Sequence, residues 1–102
     1  MGEFLINTLR ALCTDETIML TSHLQLRMHE RDVRYAEIKE AIMQGEVIEE
    51  YPDDFPFPSC LVLGKSIHVV CSIGEGILYI ITTYRPSPDK WQTDGRTRKE
   101  IH

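Results

Sequence analysis

The second half of the chain restricts what it can fold into more than any other feature. From residue 46 onward, four runs rich in Val, Ile, Leu and Tyr follow one another, at residues 46–51, 60–63, 67–73 and 77–84. The segments between them, 52–59, 64–66 and 74–76, carry the Pro, Gly, Asp and Ser of turns. A parallel crossover needs ~10 or more residues, so the short gaps between the last three runs predict antiparallel hairpins. Within residues 67–73, Ile67, Val69, Cys71 and Ile73 alternate with His68, Val70 and Ser72. The first set is expected to lie under helices and the second to face the side they leave open.

Upstream the apolar period changes. Residues 3–12 place Phe4, Leu5, Leu9 and Leu12 at three- and four-residue spacings around Arg10, which predicts a short amphipathic helix. Residues 17–21 (TIMLT) read either as a strand or as the lead into the next helix. Ser22 followed by Gln25 has the form of a capping box, predicting a helix from about His23 to about Arg31. A further helix is expected over 35–43, where Tyr35, Ile38, Ile42 and Met43 share a stripe and Gly45 would supply a left-handed stop. Helices followed by a meander describe an α+β fold: N-terminal helices on one face of a three- to four-stranded antiparallel sheet. A chain of 102 residues has room for one domain, with its core at about 17–85 and residues 86–102 expected as a partly mobile tail.

Charge and motifs exclude several function classes. With 11 Lys plus Arg against 16 Asp plus Glu, the net charge of −5 opposes bulk attraction to DNA or anionic membranes, so any polyanion site must be a local patch. The longest apolar runs, 61–63 and 77–81, fall far short of the ~18 residues of a membrane helix. Residues 1–12 lack a basic segment ahead of a long apolar one, so no signal peptide is read and a cytoplasmic location is expected. Cys13, Cys60 and Cys71 are odd in number and widely spaced, matching neither a metal knuckle nor a disulfide framework; reduced, mostly buried thiols are expected. Nucleotide-binding glycine loops and the serine-hydrolase and zincin motifs do not occur. No cofactor is expected, and no metal, because His23, His29 and His68 lack a compact ligand spacing.

Two places carry chemistry. On a helix starting near Ser22, the residues His23, Arg27, Glu30, Arg31 and Arg34 fall in one broad stripe. Arg27 and Arg31 offer donor forks suited to phosphate, and the amides of the helix start add positive potential beside His23. The same residues also suit a solvated face on which Glu30 bridges Arg27 and Arg34. His68 projects from its strand away from the apolar face, where it would meet His23 or Arg27 in a cleft. An imidazole with a pKa near ~6.5 serves as acid or base at neutral pH, although a sheet histidine can equally be a satisfied structural group. Tyr84 and Arg85 end the last strand, either at the cleft rim or as a core-edge phenol and a surface ion pair. Lys90 and Trp91 suit base stacking or, better, the anchoring of a tail. Glu46, Glu49, Glu50, Asp53 and Asp54 lack the order of a calcium loop and read as solvated acids.

Several of these residues also form an ordered set. Ser22-His23, Arg27-Met28, Glu30-Arg31, Ala41-Ile42-Met43-Gln44-Gly45, Glu46-Val47-Ile48-Glu49-Glu50-Tyr51-Pro52, Leu61-Val62-Leu63-Gly64, Ile67-His68-Val69-Val70 and Ile80-Ile81-Thr82-Thr83-Tyr84-Arg85-Pro86 together resemble the bacterial and archaeal family called domain of unknown function 4258. The resemblance covers about residues 21–91. Arg34 stands where that family often has a Ser or Thr cap, and the stretch between Gly64 and His68 is shorter than its usual hairpin. The family's layout is similar to that of RelE-like ribonuclease toxins of toxin–antitoxin modules. This implies a metal-independent endoribonuclease acting on single-stranded RNA, with an antitoxin protein as partner and a homodimer allowed. In that scheme His23 or His68 takes the 2′-hydroxyl proton and the other histidine or Tyr84 protonates the leaving oxygen. Arg27, Arg31 and Arg85 stabilise the charge developing on phosphorus. The rival reading is a non-catalytic interaction or dimerisation module that uses an edge strand or the helical stripe. The two separate on geometry, because catalysis in that form needs His23, Arg27 and His68 in one concave site.

Overall fold

The computed structural model describes residues 2–87, so all but the first two residues of the expected 86–102 tail, with Lys90, Trp91 and His102, lie outside the described residues. The order is α1 (Gly2–Ala11), β1 (Ile18–Leu20), α2 (Ser22–Glu30), α3 (Tyr35–Gln44), β2 (Glu46–Tyr51), β3 (Ser59–Leu63), β4 (His68–Gly74) and β5 (Ile77–Tyr84). Helices and meander strands therefore stand within a residue or so of where the apolar period places them. The β4–β5 turn puts Glu75 and Gly76 at φ of 53° and 77°, the mirror-image turn whose twist matches paired strands.

All five strands form one sheet in the order β1-β5-β4-β3-β2. Strands β2 to β5 are the expected antiparallel meander, but β1 pairs with β5 in parallel, Ile18 opposite Leu78 and Leu20 opposite Ile80. The sheet is thus mixed and five-stranded, which corrects the purely antiparallel three- to four-stranded expectation. The physical reason is connection length: between β1 and β5 lie both remaining helices and three strands, ample for a crossover. The Leu78 amide extends the pairing by donating to the Thr17 carbonyl at 2.8 Å.

Register divides the sheet into two faces. Cys60, Val62, Val69, Cys71, Leu78 and Ile80 share one, and meet Leu9, Leu24, Ile38 and Ile42 of the helices in the core. Ser59, Leu61, Leu63, His68, Val70, Ser72, Tyr79, Thr82 and Tyr84 share the other. The helix-covered and helix-free sides of β4 are the ones its alternation predicts. The loop between β2 and β3 folds over part of the helix-free face, setting the Phe57 ring on Gly74 and stacking it with Tyr79 at 5.9 Å.

Two helix ends are built differently from expectation. Thr21, not Ser22, caps α2: its hydroxyl accepts from the Leu24 amide at 3.0 Å, because β1 ends at Leu20 and leaves Thr21 extended. Gly45 closes α3 at φ −88° and ψ −160°, so it is extended rather than left-handed. Its lack of a side chain serves a close approach, since a Cβ there would sit 2.1 Å from the Leu63 carbonyl oxygen and 2.4 Å from that of Ala41. Arg10 completes this end by donating to the carbonyls of Ile42 at 3.1 Å and Gly45 at 2.9 Å. Gly45→Ala should therefore destabilise the chain by about 1–3 kcal/mol, as overpacking against backbone does. Urea unfolding measures it, and an unchanged midpoint would contradict the close approach.

Asp15, in the α1–β1 turn, accepts hydrogen bonds from Lys39 and Tyr35 of α3, each at 3.0 Å. The Lys39 ammonium holds the Asp15 carboxyl below its ordinary range, and burial together with the bond to Asp15 pushes the Tyr35 phenol up to about 12. A carboxyl with a lowered folded-state pKa contributes stability that is present above its unfolded pKa of about 3.9 and lost as pH falls through the folded value. Asp15→Asn should thus lower the melting temperature at neutral pH. The gap from wild type should close on acidification below the unfolded value, and a gap independent of pH would refute the ionic tie.

Candidate functional site

The pairing register gathers polar side chains on the helix-free face. Glu46, Leu63, His68 and Tyr84 form one row across β2 to β5; Glu49, Leu61, Val70 and Thr82 form the next, and Tyr51, Ser59, Ser72 and Tyr79 the third. Strict alternation would send Glu46 and Glu49 to opposite faces. A bulge between Val47 and Glu49 shifts the register of β2 by one residue, bringing Glu49 and Tyr51 to the same side as Glu46.

His68 is fully buried, unusual for an imidazole on a face without helices. Its Nδ1 lies 3.4 Å from the Tyr84 hydroxyl, and the two rings meet edge to face with centroids 5.2 Å apart. From the opposite face the buried Thr83 hydroxyl donates to the His68 carbonyl at 2.9 Å, fixing the strand backbone beneath the ring. On β2, the Tyr51 hydroxyl donates to Glu49 Oε1 at 2.5 Å. None of Glu46, Glu49, Tyr51, His68 and Tyr84 is without a partner. Further along the same face a groove of about 410 Å³ is walled by Phe55, Phe57, Tyr79 and Ile81.

The arginines take two roles. Arg31 donates to the Thr83 carbonyl at 2.8 Å, and Arg85 donates to the Asp32 carbonyl at 2.8 Å and to the Ser66 hydroxyl at 3.3 Å while lying 3.6 Å from Glu37. Both therefore sit at the C-terminal end of β5, next to Tyr84. Arg27 of α2 instead pairs with Glu30 at 2.6 Å and is half-buried, and His23 is exposed at the start of that helix. The anchoring Leu24 of α2 is seated in the core on the other side of the sheet from His68. The structure thus brings together His68 and Tyr84, with Arg31 and Arg85 at the same strand end, while His23 and Arg27 belong to α2, the helix packed on the opposite face of the sheet from His68. Arg34 does not extend the stripe; it precedes α3, its amide donating to Glu37 at 3.1 Å.

Glu49 and Tyr51 are the participants that sequence reasoning missed, having read the acids of β2 as solvated. Among the described residues, no group of three or more His, Cys, Asp or Glu is placed to hold a metal ion, and no helix is long and apolar enough to cross a membrane. Arg85→Ala should cost about 1 kcal/mol or more through its lost carbonyl and hydroxyl bonds. Arg27→Ala, losing one exposed ion pair, should stay within about 0.5 kcal/mol of wild type. A reversed order in chemical denaturation would contradict this division.

No curated protein and no solved structure matches the chain. A family model does, over residues 20–85, a span that starts at the last residue of β1 and ends just after Tyr84 and so holds every residue of the site. That match covers well over half of the sequence, and the chain belongs to the family described as domain of unknown function (DUF4258).

Proposed function

We propose that the chain is a metal-independent endoribonuclease of the toxin type, working on single-stranded RNA from the helix-free face of its sheet. The observation that carries the reading is the buried His68 ring set against the Tyr84 hydroxyl on that face. Helices before a sheet with one helix-free face are also what the sequence resemblance to RelE-like toxin ribonucleases implies, an analogy that supports the reading without carrying it.

Burial assigns the roles. Tyr84 is half-buried and presents its phenol to a substrate, whereas His68 is sealed behind it. His68 is accordingly a positioning residue that orients the phenol, and Tyr84 the acid that protonates the departing 5′-oxygen. Glu49, held by Tyr51, is the carboxylate that takes the 2′-hydroxyl proton. Three strand spacings of ~4.8 Å separate β2 from β5, so side chains leaning in from both can flank an RNA backbone. Arg31 and Arg85 stand at the Tyr84 end of the face, where charge develops on phosphorus. The aromatic groove offers flat surfaces on which a neighbouring base stacks, a recognition mode that needs little net positive charge.

A second reading has its own observation. Phe55 is 94% exposed and Met19 and Ile81 stand out on the same face, which suits a non-catalytic module that docks a protein partner there. One experiment separates the two: cleavage of a fluorophore-labelled single-stranded RNA in the presence of a chelator. Wild type should cleave; Tyr84→Phe and Glu49→Gln should each lose about 100-fold or more, and His23→Ala should match wild type. Intact RNA with the wild-type protein would leave the docking reading, and full activity in both Tyr84→Phe and Glu49→Gln would dismantle the assigned roles.

A further inference from the structure

Away from the helix-free face, the core holds a reactive pair that the proposed chemistry does not use. Cys60 of β3 and Cys71 of β4 are direct cross-strand partners on the helix-covered side, and their sulfurs lie 3.8 Å apart. Both are free thiols and almost wholly shielded from solvent. Beside them is a cavity of about 190 Å³, walled by Leu5 and Leu9 of α1, by the two cysteines and by Glu50 and Pro52. Glu50 and Pro52 are themselves exposed, so this cavity reaches the surface at its acidic rim.

We infer that Cys60 and Cys71 form a dithiol site that small, cationic aliphatic disulfides oxidise, through the cavity, to a cross-strand disulfide. The geometry supplies the first requirement: the two residues are directly opposed on paired strands with their sulfurs already 3.8 Å apart, and the ~4.5–5.5 Å usual between such Cβ atoms borders the ~3.5–4.5 Å of a disulfide, so a small approach of the strands with side-chain rotation closes the bond. The second is a difference between the thiols. Cys71 hydrogen-bonds to Cys60, which lowers the Cys60 pKa against the opposing effects of burial and the Glu50 carboxylate and, with burial, raises that of Cys71 well above the ordinary range. Cys60 is therefore the attacking thiolate. Its sulfur attacks one sulfur of the reagent, breaking the S–S bond and releasing one thiolate. Cys71 then attacks Cys60 sulfur in the mixed disulfide, its proton passing to the second departing thiolate. Two protein thiols are oxidised, and one small disulfide is reduced to two thiols. The third requirement is access: the carboxylate of Glu50 at the rim favours cationic over anionic reagents.

The test is incubation of the native protein with cystamine, followed by acid quench, alkylation of the remaining thiols in denaturant, and mass spectrometry with peptide mapping. The expected product joins Cys60 to Cys71, carries no cystamine there, and reverts with a dithiol reductant. Oxidised glutathione, which is anionic and larger, should react several-fold more slowly. Cys71→Ser should halt at a cystamine adduct on Cys60. The wild-type result decides whether or not that variant folds. Recovery of both Cys60 and Cys71 as alkylated thiols, or joining only as fast as the chain globally unfolds in the same buffer, would overturn the assignment.

Discussion

Strand β4 is buried from both sides, and the rest of the molecule is arranged to keep it so. Val69 and Cys71 face the helices and have no exposed surface, while His68 and Ser72 face away and are buried as well. Central strands of this kind lose their solvent on both faces, so each polar group on them needs a protein partner. The helical side is covered by residues such as Leu9, Ile38 and Ile42. The other side is covered piecemeal, by Tyr84 over His68 and by the Phe57 loop over Gly74. The candidate site exists because the second cover is assembled from side chains of neighbouring strands instead of from a helix.

Much of this was legible in the sequence, and the misses have physical causes. Alternation in β4 told the two faces apart because seven residues give the period several repeats. The three residues of β1 give it none, and its pairing with β5 depends on contacts some sixty residues distant. Gly45 was recognisable as the end of α3, but its reason, the nearness of the Leu63 carbonyl, is tertiary and carries no local signature. The site was half visible. His68 and Tyr84 stood out as chemistry-bearing types on a strand and at a strand end. Glu49 did not, because the bulge that puts it on their face of the sheet is a property of the β2–β3 pairing.

Charge is also unevenly placed. The net charge of −5 describes the whole surface, yet Arg31 and Arg85 sit together at one end of β5, and the acids of β2 lie across the sheet from them. Both guanidinium groups spend donors on backbone carbonyls, which holds them in place at the cost of hydrogen bonds they could give elsewhere. Arg27, half-buried and ion-paired to Glu30 across one helical turn, is held by a side chain instead of by backbone carbonyls. Membership of the DUF4258 family spans the helix, the meander and this strand end together.

The parallel seam between β1 and β5 bears on how the polypeptide assembles as it is made. Ile18, Met19 and Leu20 leave the ribosome some sixty residues before Leu78, Tyr79 and Ile80, their partners. Until then the nascent chain exposes a β-prone segment with nothing to bind, and the closing of that seam marks the moment when the sheet attains its full width.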